Sequence, residues 1–230
     1  MAKPRKKKTR KELLKEPDEF ITLSGRMIEF ALKYKTQLTY ALGFIVAAAI
    51  VFSAVRFISA RAETEASVLL TQSLAKYEAI KDDTNPEEVY AKLSEDFETI
   101  SREYGGKKNG KLARLVYANI CFDAGKYNQA IDLYSMLLND FATHPMIHNQ
   151  ILNNLGYCHE QLSDFAKAVE YFERTSNSPN SMLHDEALYH LGWLYNKLGQ
   201  SDKSKQAFNK IISDHPDFIY IDLVKEQISG

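Results

Sequence analysis

The chain has 230 residues, of which 45% are hydrophobic and 26% charged, a composition that suits one or two globular domains. Its formal net charge of −1 excludes a uniformly basic or acidic protein. The charge is nevertheless uneven, because residues 1–35 carry a net +6 and residues 57–230 a net −8.

Residues 1–17 form a basic tail that contains the run KPRKKKTRK. Such a run is found in nuclear localisation signals and nucleic-acid-binding patches. Because an apolar segment follows, we interpret the tail as a topology signal that touches anionic lipid headgroups. We therefore expect no nucleic-acid partner.

Residues 18–35 are interpreted as a juxtamembrane amphipathic segment. Their apolar side chains suit one face of an interfacial helix, or a loosely helical lead into the membrane, and the sequence leaves both alternatives open. The side chains concerned are Phe20, Ile21, Met27, Ile28, Phe30, Ala31 and Tyr34.

Residues 36–56 are predicted to form a transmembrane helix. Thr36 to Val55 is a run of 20 residues without a charge. At about 1.5 Å per residue this run spans about 30 Å, the thickness of a bilayer core, and buried helices of soluble proteins are rarely apolar for so long. A cleaved signal peptide has a shorter apolar run, and no cysteine follows closely enough for a lipoprotein. We expect an uncleaved anchor.

The charge bias predicts the orientation of this anchor. Basic residues flank the cytoplasmic side of membrane spans, so the N-terminus should be cytoplasmic and the acidic remainder translocated. In a bacterium this describes a single-pass protein of the inner (cytoplasmic) membrane with a periplasmic C-terminal domain. The lipid bilayer is then an expected partner through one span.

Residues 57–110 are predicted to be a helical stalk and a degenerate first helix pair. Ser59 to Ile80 contains no helix breaker. The stretch KDDTNPEE predicts a turn followed by a helix with Pro86 in its first turn. The glycine-rich GGKKNG, Gly105 to Gly110, is expected to end that helix.

Residues 111–216 contain three copies of one pattern, offset by 38 and then 36 residues. Each copy has a small residue, a turn residue, a second small residue and then an aromatic residue. In chain order these are Ala118, Gly125, Ala130 and Tyr134; Gly156, Ser163, Ala168 and Phe172; Gly192, Gly199, Ser204 and Phe208.

This pattern resembles the tetratricopeptide repeat (TPR), a helix–turn–helix unit of about 34 residues. Together with the predicted span, the resemblance implies an all-α protein: an N-terminal transmembrane helix followed by a TPR-type α-solenoid. The small residues would lie where the two helices of a unit cross, so that their axes approach closely. Residues 217–230 would form the C-terminal capping helix that such stacks need.

The resemblance also implies a protein-binding groove, because the first helix of each TPR unit lines a concave surface. Trp193 either lies in this groove or packs against the terminal helix, and both alternatives stay open. The family's lysine clamp for a terminal carboxylate is absent, since its positions hold Leu115, Asn153 and Tyr189. The groove residues implied are Leu115, Asn119, Phe122, Asn153, Tyr157, Glu160, Tyr189, Trp193 and Asn196.

Chemistry beyond binding is not indicated by the sequence. Cys121 and Cys158 are interpreted as buried thiols, with a disulfide as the alternative in an oxidising compartment. His144 and His148 have a spacing that suits a metal, but Pro145 lies between them and we interpret them as solvated loop residues. We find no phosphate loop, nucleophile elbow or paired carboxylates. We expect no enzyme activity, cofactor, metal or small-molecule substrate.

The complete layout resembles the ancillary subunit family of the bacterial SecYEG translocon. This resemblance implies a membrane-anchored protein-binding module, chaperone-like or an adaptor, in protein export and envelope biogenesis. Two other classes remain open. One is a structural subunit of a cell-envelope or secretion assembly, and the other is an organelle-membrane receptor with cytosolic repeats.

Overall fold

The computed structural model describes residues 19–178 and 182–229. The predicted basic tail, residues 1–17, lies outside the described residues, as does the middle of the connection after the second repeat. The chain divides into two compact units, Met1–Ser59 and Ala60–Gly230. Across the described residues the structure is helical and has no strand, which confirms the predicted all-α fold.

The first unit contains helix α1, Glu19–Lys33, and the beginning of helix α2, Lys35–Ile80. The two helices are interrupted only at Tyr34. Large apolar side chains of α2, such as Tyr40 and Phe44, are exposed. By length and composition, α2 is able to cross a membrane, and none of its apolar window is buried.

The second unit is a series of short helices in which each packs on the next from α3 onward. Turns of a few residues join them, as is usual for antiparallel helical hairpins. The helices are α3 Pro86–Glu103, α4 Lys108–Asp123, α5 Tyr127–Asp140, α6 Pro145–Gln161, α7 Phe165–Ser176, α8 His184–Lys197, α9 Ser201–Asp214 and α10 Ile221–Ser229.

Local signals explain several helix ends. The Asn85 side chain caps α3 by accepting a hydrogen bond from the Glu88 N–H, and Pro86 occupies the first turn as predicted. Gly125, Ser163 and Gly199 all have φ between 59° and 71°, the left-handed conformation. After each of them the backbone closes a Schellman motif, for example Gln200 N–H to Tyr195 C=O at 2.8 Å.

Helix α4 begins earlier than the glycine-rich sequence suggests, because Lys108 to Gly110 already lie in its first turn. A close contact between backbone atoms explains why position 110, in this first turn, is a glycine. A Cβ placed on Gly110 would lie 1.8 Å from the Tyr104 carbonyl oxygen. Glycine is therefore required for the first turn of α4 to pass this carbonyl, and it packs inside the structure instead of ending a helix.

Two adjoining apolar clusters form the core of the second unit. The first reaches from Leu70 on α2 to Cys158 on α6, and the second from Ala168 on α7 to Val224 on α10. Both cysteines are buried and free, and burial raises the pKa of each thiol to about 12. Neither thiol is therefore activated as a nucleophile.

A glutamate of α2 stabilises the N-terminus of α4. Lys107 precedes α4 and offers no capping side chain. The Glu63 carboxylate instead accepts hydrogen bonds from the Lys108 N–H at 3.0 Å and the Asn109 N–H at 2.9 Å. Burial raises the Glu63 pKa, but these bonds outweigh it and hold the pKa below its ordinary value. The carboxylate thus acts as a cap supplied from another helix.

We expect Glu63→Gln to lower the free energy of unfolding by up to about 1 kcal/mol at neutral pH, because glutamine keeps one acceptor oxygen but loses the negative charge at the helix N-terminus. Because the folded pKa is depressed, the contribution is complete above the ordinary glutamate pKa and is lost as the pH falls through the lowered folded value. Thermal melts of both proteins across this acidic range would measure the loss. Glu95→Gln, at an exposed position on α3, is the control and should melt like the wild type. A Glu63→Gln deficit that persists at low pH would contradict the capping role.

Candidate protein-binding groove

The nine residues predicted to line a groove lie on α4, α6 and α8, the first helices of the three repeats. Asn119 and Asn196 are exposed, and six others are half-buried. Asn153 differs, because it is only 1% exposed and its amide has no hydrogen-bond partner within the described part of the chain. Its side chain faces the protein interior and is not available to a partner in this conformation.

In the first repeat, two of the groove residues make apolar contacts and the third makes a hydrogen bond. Leu115 packs on the core cluster and Phe122 packs edge-on against Tyr127, with ring centroids 5.5 Å apart. The Asn119 carboxamide oxygen accepts a hydrogen bond from the buried Tyr134 hydroxyl at 2.6 Å. Tyr134 also receives a hydrogen bond from Asn154 of the next repeat at 3.0 Å.

The second repeat carries a more polar cluster centred on Tyr157. The Tyr157 hydroxyl donates a hydrogen bond to Glu186 on α8, and its ring packs edge-on against His190 with centroids 4.7 Å apart. Glu160 Oε2 lies within hydrogen-bonding distance of His190 Nδ1, at 2.9 Å. Burial, and then the hydrogen bond and charge of Glu186, raise the pKa of Tyr157 far above its ordinary value. The phenol therefore stays protonated and serves as a donor.

In the third repeat, two of the three groove residues, Tyr189 and Trp193, are aromatic. Tyr189 stacks on Tyr220 with centroids 5.5 Å apart and also contacts Phe218 at 5.8 Å. Trp193 packs edge-on against Tyr189 and Phe208, each at 6.5 Å. The C-terminal segment thus packs on Tyr189, and both Tyr189 and Trp193 are half-buried against the second core cluster.

Two residues of this surface, Glu186 and His190, were not predicted from the sequence. His190 precedes Gly192 by two positions, as Asn154 precedes Gly156. Both residues meet the aromatic residue of the preceding repeat: Asn154 bonds to Tyr134, and His190 stacks on Phe172 with centroids 5.0 Å apart. This shared motif position was the signal that could have identified His190.

The surface offers partly exposed aromatic rings, carboxamides and carboxylates, a mixture suited to contacts with polypeptide. Within the described residues, no group of three or more histidine, cysteine, aspartate and glutamate side chains is arranged to hold a metal ion. The two histidines of the predicted i, i+4 pair have separate contacts, since His148 Nδ1 lies 3.1 Å from the Leu138 carbonyl oxygen and His144 Nδ1 lies 3.2 Å from the Thr143 hydroxyl.

Fold and surface together define the class as a TPR-type α-solenoid, a scaffold for protein interaction that is generally not enzymatic. Residues 150–174 and residues 186–217 each match a family model described as tetratricopeptide repeat. These matches confirm the predicted repeats in the second and third copies of the pattern.

Solved structures resemble this chain in fold. The crystal structure of BtubC (BKLC) from P. vanneervenii superimposes with a TM-score of 0.51 at 12% identity, covering 74% of this chain and 81% of that chain. The crystal structure of MamA superimposes with a TM-score of 0.44 at 20% identity, covering 61% of this chain and 90% of that chain. No curated protein sequence matches this chain.

Proposed function

We propose that the chain is a membrane-anchored adaptor or chaperone-like factor that binds segments of exported proteins in its TPR groove. Residues 36–56 would be the single membrane span, the N-terminal tail would lie in the cytoplasm, and the repeats would face the periplasm. The ancillary SecYEG subunit family remains our model for this role.

The observation that carries the proposal is the row of partly exposed aromatic side chains on successive first helices. Phe122 and Tyr157 lie with ring centroids 6.4 Å apart, and Trp193 continues the row on α8. Large rigid rings bind with little loss of side-chain entropy, and neighbouring polar groups supply hydrogen bonds to a peptide backbone. A row of this kind favours the binding of extended or unfolded polypeptide.

The charge distribution supports the orientation. A net +6 precedes the uncharged run and a net −8 follows it, which is the asymmetry expected when the N-terminus is retained in the cytoplasm. Helix α2 has the length and composition that such a span requires.

A structural role in a larger assembly is the second candidate, and it is favoured by the end of the solenoid. Ile219, just before α10, is 82% exposed and Leu223 on α10 is 48% exposed, so the end of the solenoid presents apolar surface where another protein could add to the stack. In that case one partner would remain bound permanently.

Photocrosslinking in intact cells tests the proposal. We expect a benzophenone amino acid at Asn119 or Asn196, both exposed on first helices, to capture several envelope or secreted proteins. The same amino acid at Asn139, exposed on the second helix α5, is the matched control and should capture few or none.

The pattern of captured proteins separates the alternatives. Capture of one partner in fixed stoichiometry would support the structural role, and capture of cytoplasmic proteins alone would contradict the proposed orientation. Equal capture from all three positions would contradict a groove-based function.

A further inference from the structure

A cleft of about 340 Å³ opens beside Phe122, the first residue of the aromatic row in chain order. It lies where α2, α4 and α6 end and where α3 and α5 begin. Its walls include Tyr77 from α2, Phe122 and Asp123 from α4, and Tyr127 from α5. Phe122 belongs both to this cleft and to the proposed groove, so a polypeptide in the groove would reach the cleft directly.

Three of the side chains that line this cleft are aromatic. Phe122 and Tyr127 meet edge to face, and Tyr77 contributes a third ring. Asp123 lines the same cleft as Tyr77, and burial, and then the charge of Asp123, raise the pKa of Tyr77 above its ordinary value. Aromatic rings beside a carboxylate are the surroundings that attract a cationic side chain.

The charge of Asp123 is not compensated. Within residues 19–178 and 182–229, no ion pair or hydrogen bond reaches its carboxylate; Asp123 is exposed, and desolvation by the surrounding protein still raises its pKa. One lining residue is a cation, Lys81; its ammonium group is paired with Glu78 at 2.7 Å and lies 5.9 Å from the centre of the Tyr77 ring, which leaves the rings of Phe122 and Tyr127 without this cation. The unmatched charge in the cleft is therefore negative.

We propose that this cleft binds the arginine or lysine side chain of a partner polypeptide, with the cation against the Asp123 carboxylate and the stem between the rings of Tyr77, Phe122 and Tyr127. The inference rests on the proposed function, because the cleft continues the groove. A neutral apolar side chain would cover the carboxylate without pairing it, which is unfavourable. The net −8 of residues 57–230 also attracts basic segments.

The test uses the full-length protein in lipid nanodiscs and two fluorescent capped peptides that differ at one position. One peptide carries arginine among leucine, tyrosine and serine residues, and the other carries citrulline, which has nearly the same shape but no charge. We expect the arginine peptide to bind the wild type about tenfold more tightly by fluorescence anisotropy. In Asp123→Asn the preference should fall to about twofold or less.

Asp132→Asn, at an exposed position on α5, is the matched control and should keep the full preference. Thermal melting of both variants establishes that they are folded. Equal binding of the two peptides by the wild type would overturn the cleft assignment and leave the groove intact, as would a preference that survives in Asp123→Asn. If neither peptide binds, the proposed groove function fails, and the cleft assignment fails with it.

Discussion

Gly192→Leu will destabilise the repeat domain by about 1–3 kcal/mol or more, the usual cost of overpacking a filled core. A Cβ placed on Gly192 would lie 2.4 Å from Cε1 of Phe208, closer than two nonbonded carbon atoms approach each other. Phe208 is 1% exposed and belongs to the second core cluster, so its ring cannot move aside without disturbing other buried side chains. The helices α8 and α9 would have to separate, and the hydrogen bond from the Ser204 hydroxyl to the Gly192 carbonyl, 2.7 Å, would be strained.

Chemical or thermal unfolding of the full-length protein measures this cost. Asn209→Leu adds a leucine next to Phe208 on the exposed side of α9, so it controls for added apolar volume and should change stability little. Gly156→Leu should destabilise less than Gly192→Leu, because its Cβ would lie 2.9 Å from the Phe172 ring. Unchanged melting of the Gly192 variant would show that the glycine is not a helix contact.

The two helix glycines, Gly156 and Gly192, lower helix propensity, and the packing they allow offsets this cost. Glycine inside a helix costs about 1 kcal/mol relative to alanine. Gly156 and Gly192 lie directly under the rings of Phe172 and Phe208, so the close approach of each helix pair offsets that cost. The ring contacts would be lost if the helices moved apart to admit a side chain.

The repeats were predictable from sequence because their signals are local and recur. Gly125, Ser163 and Gly199 occupy one turn position, and the structure gives all three the same left-handed backbone. A serine at this position shows that the turn geometry, and not glycine itself, is what the repeat retains. Small residues under aromatic rings recur in the same way, so three imperfect copies together were sufficient for the fold.

The candidate site was less predictable, since its contacts join residues that are distant in the chain. Glu63 meets the start of α4 across more than 40 positions, and Tyr157 meets Glu186 across 29. The burial of Asn153 depends on how α6 rotates against its neighbours, which no motif position specifies. The cleft around Asp123 requires five helices to end or begin together. Such features follow from the packing of the repeats and become visible only in the structure.

Trp193→Ala will weaken the binding of a labelled unfolded peptide by about 2 kcal/mol, or about thirtyfold, if Trp193 is an anchor of the groove. The indole packs on Phe208 and Tyr189, yet it is only half-buried and keeps one accessible side. A ring in this position contributes to both binding and stability. Its fluorescence should therefore be of intermediate wavelength in the free protein and shift to shorter wavelength when a peptide without tryptophan binds.

The comparison with Phe208→Ala separates the two contributions. Phe208 is fully packed, so its removal should cost about 3–5 kcal/mol of stability. Trp193→Ala should cost clearly less, because part of its surface is already in contact with water. Trp193→Phe retains a ring on the core and should recover most of the lost stability but only part of the lost affinity. If Trp193→Ala melts as early as Phe208→Ala while the folded fraction binds peptide like the wild type, then Trp193 is a core residue and the aromatic row ends at Tyr157.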